Sequence, residues 1–303
     1  MEIYTFTPDE EQKNLRIDKF LSEQLPDQSR SYLQKLLKEG NVTVNEKTVK
    51  ANYKVQLSDT VKLELPEPEC PDILPEDIPL DILYEDEDLI FVDKPAGIVS
   101  HPSKGHLSDS MINGVQAYFE NEGREKNERS NIHLIGRLDK ETSGILGIAK
   151  NSVTAERMIK QRQRGILIKE YYALVKGNPP EEGILEIPME EMRDARDGDK
   201  LKMKVGKSEN AKTAKTFFQV VKRFEKFSLV SLVIETGRTH QIRFHMASIG
   251  CPLLGDSFYG DGPELGISRT ALHAQQLTFT HPFCEKVMRI ESEMPKDLSF
   301  LLR

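Results

Sequence analysis

A carboxylate held between two cations in a short polar stretch is the arrangement in this chain best suited to chemistry. Residues 136–144 read G-R-L-D-K-E-T-S-G and place Asp139 between Arg137 and Lys140, just ahead of the apolar run 145–149. The T-S-G step reads as a loop feeding a strand, where scaffolds commonly present reactive groups. Positive neighbours favour the charged form of a carboxylate. A charged, oriented carboxylate can serve as nucleophile or base without a cofactor. The plainer reading is a surface loop with a local ion pair of little energetic consequence.

Three further stretches carry polar groups at suggestive spacing. In K-P-A-G-I-V-S-H-P, residues 94–102, Pro95 and Gly97 predict a tight turn after a strand, with Lys94 and His101 beside it. In K-E-Y-Y-A-L-V-K-G, residues 169–177, strand alternation puts Lys169, Tyr171, Ala173 and Val175 on one face. Tyr171 there reads either as a core aromatic or as a stacking platform. In G-R-T-H-Q-I-R-F-H, residues 237–245, a continuing strand would set Thr239, Gln241 and Arg243 on one face and His240 and Ile242 on the other. His240 and His245 lack the helical spacing and the acidic neighbour of a zinc site, and no metal site is expected. No Gly-rich phosphate loop of the Walker or dinucleotide kind occurs.

These stretches need a scaffold. Residues 16–25 predict a short helix with Ile17, Phe20, Leu21 and Leu25 on one face. A second helix, capped by Ser29 and stopped at Gly40, carries Leu33, Leu36 and Leu37. Residues 42–49 alternate about an Asn45–Lys47 turn, a hairpin signal. Together they predict a small domain over residues 1–65. Residues 66–79 hold five prolines and many acids and predict an extended linker. From residue 80 to 303, strands are expected at 82–84, 89–92, 146–149, 172–175, 217–221 and 229–234, and helices at 109–119 and 152–164. Many strands with few helices predict an α+β fold with a mixed, mostly antiparallel sheet, beside the small N-terminal α/β unit.

Composition narrows the class. The chain has 303 residues, 38% hydrophobic and 30% charged, as expected of a globular protein of about two domains. The apolar runs are strand-sized, so no membrane span is expected. The acidic start does not read as a signal peptide, and three scattered cysteines suggest neither disulfides nor a thiolate site. A cytoplasmic setting fits. Net charge is −7, yet charge is unevenly spread. Residues 64–93 hold twelve acids and no Lys or Arg, whereas residues 193–223 hold ten basic residues against four acidic. Residues 30–54 hold six basic against two acidic. Such segments can steer an anionic polymer, or simply solvate exposed faces.

The ordered set of motifs resembles the RluA/RluD family of RNA pseudouridine synthases over nearly the whole length. It comprises K-P-A-G and H-P within 94–102, R-L-D-K-E-T-S-G at 137–144, K-x-Y-x-A-x-V-x-G at 169–177 and G-R-T-H-Q-I-R-x-H at 237–245. G-x-P-L-x-G-D-x-x-Y-G at 250–260 and L-H-A-x-x-L-x-F-x-H-P at 272–282 complete it. The resemblance implies a pseudouridine synthase fold, an N-terminal domain shared with a ribosomal small-subunit protein, and no cofactor. It implies Asp139 as the catalytic aspartate, toward the ribose as nucleophile or base, with Arg243 as its ion-pair partner and Tyr171 stacked on the target base. Arg137 would fill the gap left by the extruded base. Lys94, His101, Arg238 and His240 are the further expected substrate contacts, and Arg30, Lys35, Lys38 and Lys47 the expected RNA contacts of the small domain.

Three departures stand out. Gly136 occupies a position where the family usually has His. Asn45-Glu46 replaces the usual Asn-Gly turn. Residues 188–199, which are expected to touch RNA, lack the Gly-Arg common in relatives. The expectation is a monomeric isomerase acting on RNA, foremost large-subunit ribosomal RNA, with transfer RNA as the other polynucleotide. A non-catalytic RNA-binding or ribosome-assembly factor on the same scaffold is the alternative, and a carboxylate-dependent hydrolase a more distant one.

Overall fold

The computed structural model describes residues 2–25, 30–65, 73–102, 108–125, 131–194, 200–209 and 211–303. The chain divides into two units, Met1–Asp72 and Ile73–Arg303.

In the first unit, strands β1 (Glu2–Phe6), β2 (Val42–Val44), β3 (Lys47–Thr48) and β4 (Val61–Leu65) form an antiparallel sheet in the order β1-β4-β2-β3. Helices α1 (Ile17–Gln24) and α2 (Arg30–Glu39) bury Ile17, Phe20, Leu21, Leu33, Leu36 and Leu37 with Val42, Val44, Val61 and Leu63. The two helices and the hairpin match the sequence reading; β1 and β4 were not read from it. At the hairpin turn Asn45 and Glu46 have φ of 49° and 66°. Positive φ at both central residues is the mark of a type I′ turn, so Glu46 takes the conformation that Gly would adopt freely. Lys35, Lys38 and Lys47 are exposed. The Arg30 side chain and the expected Ser29 cap lie outside the described residues.

The second unit is built on one long sheet. Its first strands are β5 (Asp81–Glu85), β6 (Leu89–Lys94), β7 (His133–Leu134) and β8 (Ser143–Ala149), and its middle is β9 (Ile168–Lys176). β10 (Glu182–Glu186), β13 (Lys215–Arg223) and β14 (Phe227–Ile234) follow, then β15 (Leu272–Thr280) and β16 (Val287–Glu291). The order is β10-β13-β14-β9-β15-β8-β6-β5, with β16 on β15 and β7 on β8. All pairings are antiparallel except β8 with β15, where two residue pairs, His273↔Ser143 and Ala274↔Gly144, run parallel. The mixed, mostly antiparallel sheet is thus as the sequence reading had it. A separate hairpin, β11 (Met189–Asp194) with β12 (Lys200–Val205), stands apart from it.

Helices cover both faces. α3 (Met111–Asn121) and α5 (Gln241–Ser248) pack Met111, Ile112, Val115, Phe119, Ile242 and Met246 on one face, against Ile90, Leu146, Tyr171, Val175 and Val230. α4 (Ser152–Gln163) places Ala155 and Met158 on the other, with Leu89, Phe91, Phe279 and Ile290. Side chains start α3 and α4: Ser110 and Asn113 form a reciprocal capping box, and Asn151 accepts from the Thr154 amide at 2.8 Å. The short α6 (Lys296–Ser299) buries Leu298.

Two expectations are corrected here. Residues 66–72 of the expected linker lie outside the described residues, but residues 73–79 belong to the second unit. The Asn113 amide donates to the Leu74 carbonyl at 2.8 Å, and Glu76 accepts from the Asp109 amide at 2.8 Å and donates its own amide to the Asn113 carbonyl at 3.1 Å. Proline suits this because an extended chain seated on a helix can offer carbonyls without amide partners of its own. The second correction concerns residues 237–245. β14 stops at Ile234, and from Gln241 the chain is helical. His240 takes a left-handed φ of 54°, which turns the chain out of the strand direction.

Candidate active site

The site opens as a cleft of about 850 Å³ lined by residues 99–101, 134, 136–140, 142 and 162, by Leu167, Lys169 and Tyr171, and by residues 234–243 and Leu272. Asp139 sits on the loop that leads into β8, its side chain 31% exposed to the cleft. The loop is fixed on either side of it by residues 94–100. The Ser100 hydroxyl donates to the Leu138 carbonyl at 2.9 Å and accepts from the Leu138 amide at 3.0 Å. On the other side, the Gly97 amide donates to the Lys140 carbonyl at 2.8 Å. The same carbonyl accepts from Lys94 Nζ at 3.1 Å.

Lys94 therefore does not reach substrate, contrary to expectation. Its buried ammonium spends its donors on the carbonyls of Pro95 and Ile98, both at 2.8 Å, and of Lys140. Burial, with Arg269 nearby, pulls its pKa down to about 8. Lys94 positions the Asp139 loop from behind. Arg269 does the same further along, donating to the Glu141 carbonyl at 3.1 Å and to Ser143 Oγ at 3.2 Å while paired with Asp297.

Opposite the loop, the N-terminal end of α5 brings Arg243 within 3.7 Å and His240 within 4.0 Å of Asp139 Oδ2. Arg243 is itself clamped by fully buried Asp256, with Nε–Oδ2 at 2.7 Å and Nη2–Oδ1 at 2.9 Å. Burial works against the charge on Asp256, but the bidentate bond from Arg243 outweighs it and holds the carboxyl below its ordinary range. The amides of Phe258 and Tyr259 also donate to Asp256. The clamp fixes the guanidinium plane and leaves Nη1 to face Asp139. The Tyr259 hydroxyl stands 3.1 Å from His240 Nδ1. Burial lowers the His240 pKa, which keeps the imidazole neutral at pH 7.

Tyr171 is 4% exposed and reaches the cleft from β9. Burial first, then the charge of Asp139, raises its pKa, so the phenol stays protonated. The two readings of Tyr171 meet here, since it packs in the core and lines the cleft. Arg137 and His101 lie exposed at the rim, and Arg238 donates to the Thr213 carbonyl at 3.1 Å while facing the cleft.

Sequence reasoning missed Asp256 and Tyr259, although the G-D-x-x-Y-G motif contains both. The signal was an acid in an otherwise apolar, Gly-rich turn, which predicts a buried cation partner. Among the described residues, Asp86, Asp88 and His281 offer atoms within 4.8 Å of one another, as a metal site would. They lie outside the cleft and bond one another, with His281 Nε2 at 2.9 Å from Asp86 Oδ2.

Comparison with known proteins gives the family and the fold. Residues 88–248 match the RNA pseudouridylate synthase family, and residues 15–61 match the S4 domain. The chain belongs to the RNA pseudouridine synthase family. It is 41% identical to the uncharacterized RNA pseudouridine synthase YlyB of Bacillus subtilis, over 98% of this chain and 96% of that protein. It is 36% identical to ribosomal large subunit pseudouridine synthase D of Neisseria meningitidis, over 95% of this chain and 78% of that one. Among solved structures, human RNA pseudouridylate synthase domain containing 4 superposes with a TM-score of 0.57 at 26% identity, covering 73% of this chain and 91% of the other. Members of this family are isomerases. The S4 domain coincides with the unit carrying Lys35, Lys38 and Lys47.

Proposed function

We propose that this enzyme isomerises uridine to pseudouridine in large-subunit ribosomal RNA, with Asp139 as the catalytic carboxylate. The observation that carries the reading is the placement of Asp139: a carboxylate in a cleft, 3.7 Å from an arginine whose other face is locked by Asp256. A carboxylate facing a polyanion serves a pure binder poorly, because it repels the ligand. The relatives named for the large ribosomal subunit supply the substrate class.

In the reaction the bond from ribose C1′ to uracil N1 breaks, the ring turns, and C1′ bonds to C5. The C5 proton is lost and N1 gains one, so no electrons enter or leave overall. Asp139 either attacks C1′ or takes a ribose proton; both need its carboxylate aimed and free, which the hold on Leu138 and Lys140 provides. Arg243 orients the carboxylate and balances its charge. Tyr171 supplies an aromatic face against which the extruded base stacks. Arg137, exposed at the rim, is placed to enter the gap the base leaves. His101, Arg238 and His240 complete the wall around the nucleotide. The N-terminal unit, residues 1–65, grips RNA through Lys35, Lys38, Lys47 and Arg30, and the enzyme works as a cytoplasmic monomer.

The test is Asp139→Asn, which keeps shape and removes charge. Pseudouridine formation in transcribed large-subunit ribosomal RNA is expected to be lost, with RNA affinity kept within about twofold. A variant that still forms pseudouridine at a comparable rate would show that another group does the chemistry. Mapping pseudouridines in ribosomal and transfer RNA from cells lacking the protein identifies the substrate.

A further inference from the structure

One cation in the cleft has no role in the chemistry above. Lys169 leaves β9 on the same face as Tyr171, two residues earlier and so about 7 Å away along the strand. Its side chain lines the cleft, yet among the described residues no carboxylate or carbonyl bonds its ammonium. The charged group that acts on it most closely is another cation, Arg162, while the carboxylates Asp139 and Glu235 line the same cleft without bonding it. Arg162 approaches from the end of α4 and Arg137 stands on the adjoining loop, neither with a partner among the described residues. From the neighbouring strand β15, the uncharged residues Ala274, Gln276 and Leu277 share its surroundings. Burial, with Arg162 adding to it, lowers its pKa to about 8.

Gly136 is what admits this ammonium. A Cβ at position 136 would lie 2.2 Å from Lys169 Nζ and meets no other atom outside that side chain within 4 Å. Any side chain there would occupy the space the ammonium now fills. The missing side chain and the unpaired cation are therefore one feature.

We propose that Lys169, with Arg162 beside it, binds a backbone phosphodiester of the RNA next to the target uridine, and that Gly136 is the residue that makes room for it. The inference rests on the RNA reading above. A partly buried ammonium beside a guanidinium, neither bonded to a carboxylate among the described residues, is costly to hold, and an anion entering with the substrate relieves it. A phosphodiester supplies that anion, with oxygens for the ammonium and the guanidinium at once. Tyr171 holds the base one strand step away, so a phosphate attached to the same or the next nucleotide falls within reach of Lys169.

The test uses unmodified large-subunit ribosomal RNA transcribed in vitro, with single-turnover pseudouridine formation followed against RNA concentration, salt and pH. Lys169→Met is expected to raise the half-saturating RNA concentration about tenfold and to reduce the salt slope by about 1. Gly136→Ala displaces only the far end of a flexible side chain, so it should fold normally and weaken RNA in the same direction. The double variant should be no worse than Lys169→Met alone. In the unaltered protein, affinity should fall as pH rises above about 8, where the free ammonium loses its proton. Lys169→Arg should hold its affinity to pH 9, since guanidinium stays charged. If Lys169→Met binds with unchanged affinity and salt slope while the unaltered protein forms pseudouridine, this inference is overturned and the proposed function stands. A loss confined to the saturating rate also overturns it, and would make Lys169 a proton-transfer group. If the unaltered protein forms no pseudouridine in this RNA, the proposed substrate fails and this inference falls with it.

Discussion

At the scale of single residues, the site depends on groups that never touch the reacting atoms. Asp256 is the clearest case, since it alone completes the bidentate clamp on a buried Arg243. Asp256→Asn removes the compensating charge and should cost about 3–5 kcal/mol of stability, read as a lower urea midpoint. Arg243 would then be free to swing toward Asp139, and a displacement of about 1 Å can cost on the order of 10²-fold in rate. Unchanged activity in a folded Asp256→Asn protein would show that Arg243 needs no such hold. Residue types read well from the sequence where chemistry chose them: Asp139, Arg243 and Tyr171 do converge on one cleft. Roles read less well. Lys94 lies in a motif beside the site, but its ammonium faces backward onto three carbonyls, and only three-dimensional proximity reveals which way a long side chain turns.

At the scale of elements, hydrophobic periodicity located α1, α3, α4 and the strands β6, β8, β13 and β14, because each buries a continuous apolar face. It failed for residues 237–245, where a polar run after a strand was read as more strand. The helix there is set by Gln241, whose side chain accepts from the Thr236 hydroxyl and the Arg238 amide and donates to the Lys215 carbonyl and Thr216. Two of those partners, Lys215 and Thr216, come from a distant strand, and none of the four leaves a periodic trace. β10 to β12 also escaped notice, although β12 alternates Lys with apolar residues throughout, because they lie in a strongly charged stretch that reads as solvated surface. Gly144 shows what local sequence hides. Its φ is 109°, and a Cβ would lie 2.2 Å from the Ala274 carbonyl oxygen across the parallel pairing. Gly144→Ala should destabilise the second unit by about 1–3 kcal/mol from crowding alone, with backbone strain adding to it. Differential scanning calorimetry checks this, and an unaltered transition for that unit would contradict the close approach of β8 and β15.

At the scale of the whole molecule, the two units are expected to divide the labour, and where one ends bears on any attempt to separate them. A chain beginning at Ile73 keeps the bonds of Leu74 and Glu76 to α3, whereas one beginning at Leu80 loses them. The longer form should therefore be the more stable, by thermal melting. Either should bind ribosomal RNA more weakly than the full chain and with a shallower salt slope, because the phosphate contacts proposed for Lys35, Lys38 and Lys47 would be gone. Equal affinity and slope for full-length and shortened chains would assign the first unit some other task. The position of β15 reaches further still. This strand comes late in the chain, yet it lies between β8 and β9, the two strands that carry the Asp139 loop and Tyr171. Every residue proposed for chemistry precedes it in the chain, but only Leu272–Thr280 pairs the strand behind Asp139 with the strand bearing Tyr171. A chain halted before that strand would hold the residues proposed for chemistry without the pairing that sets β8 beside β9, so it is expected to form no pseudouridine.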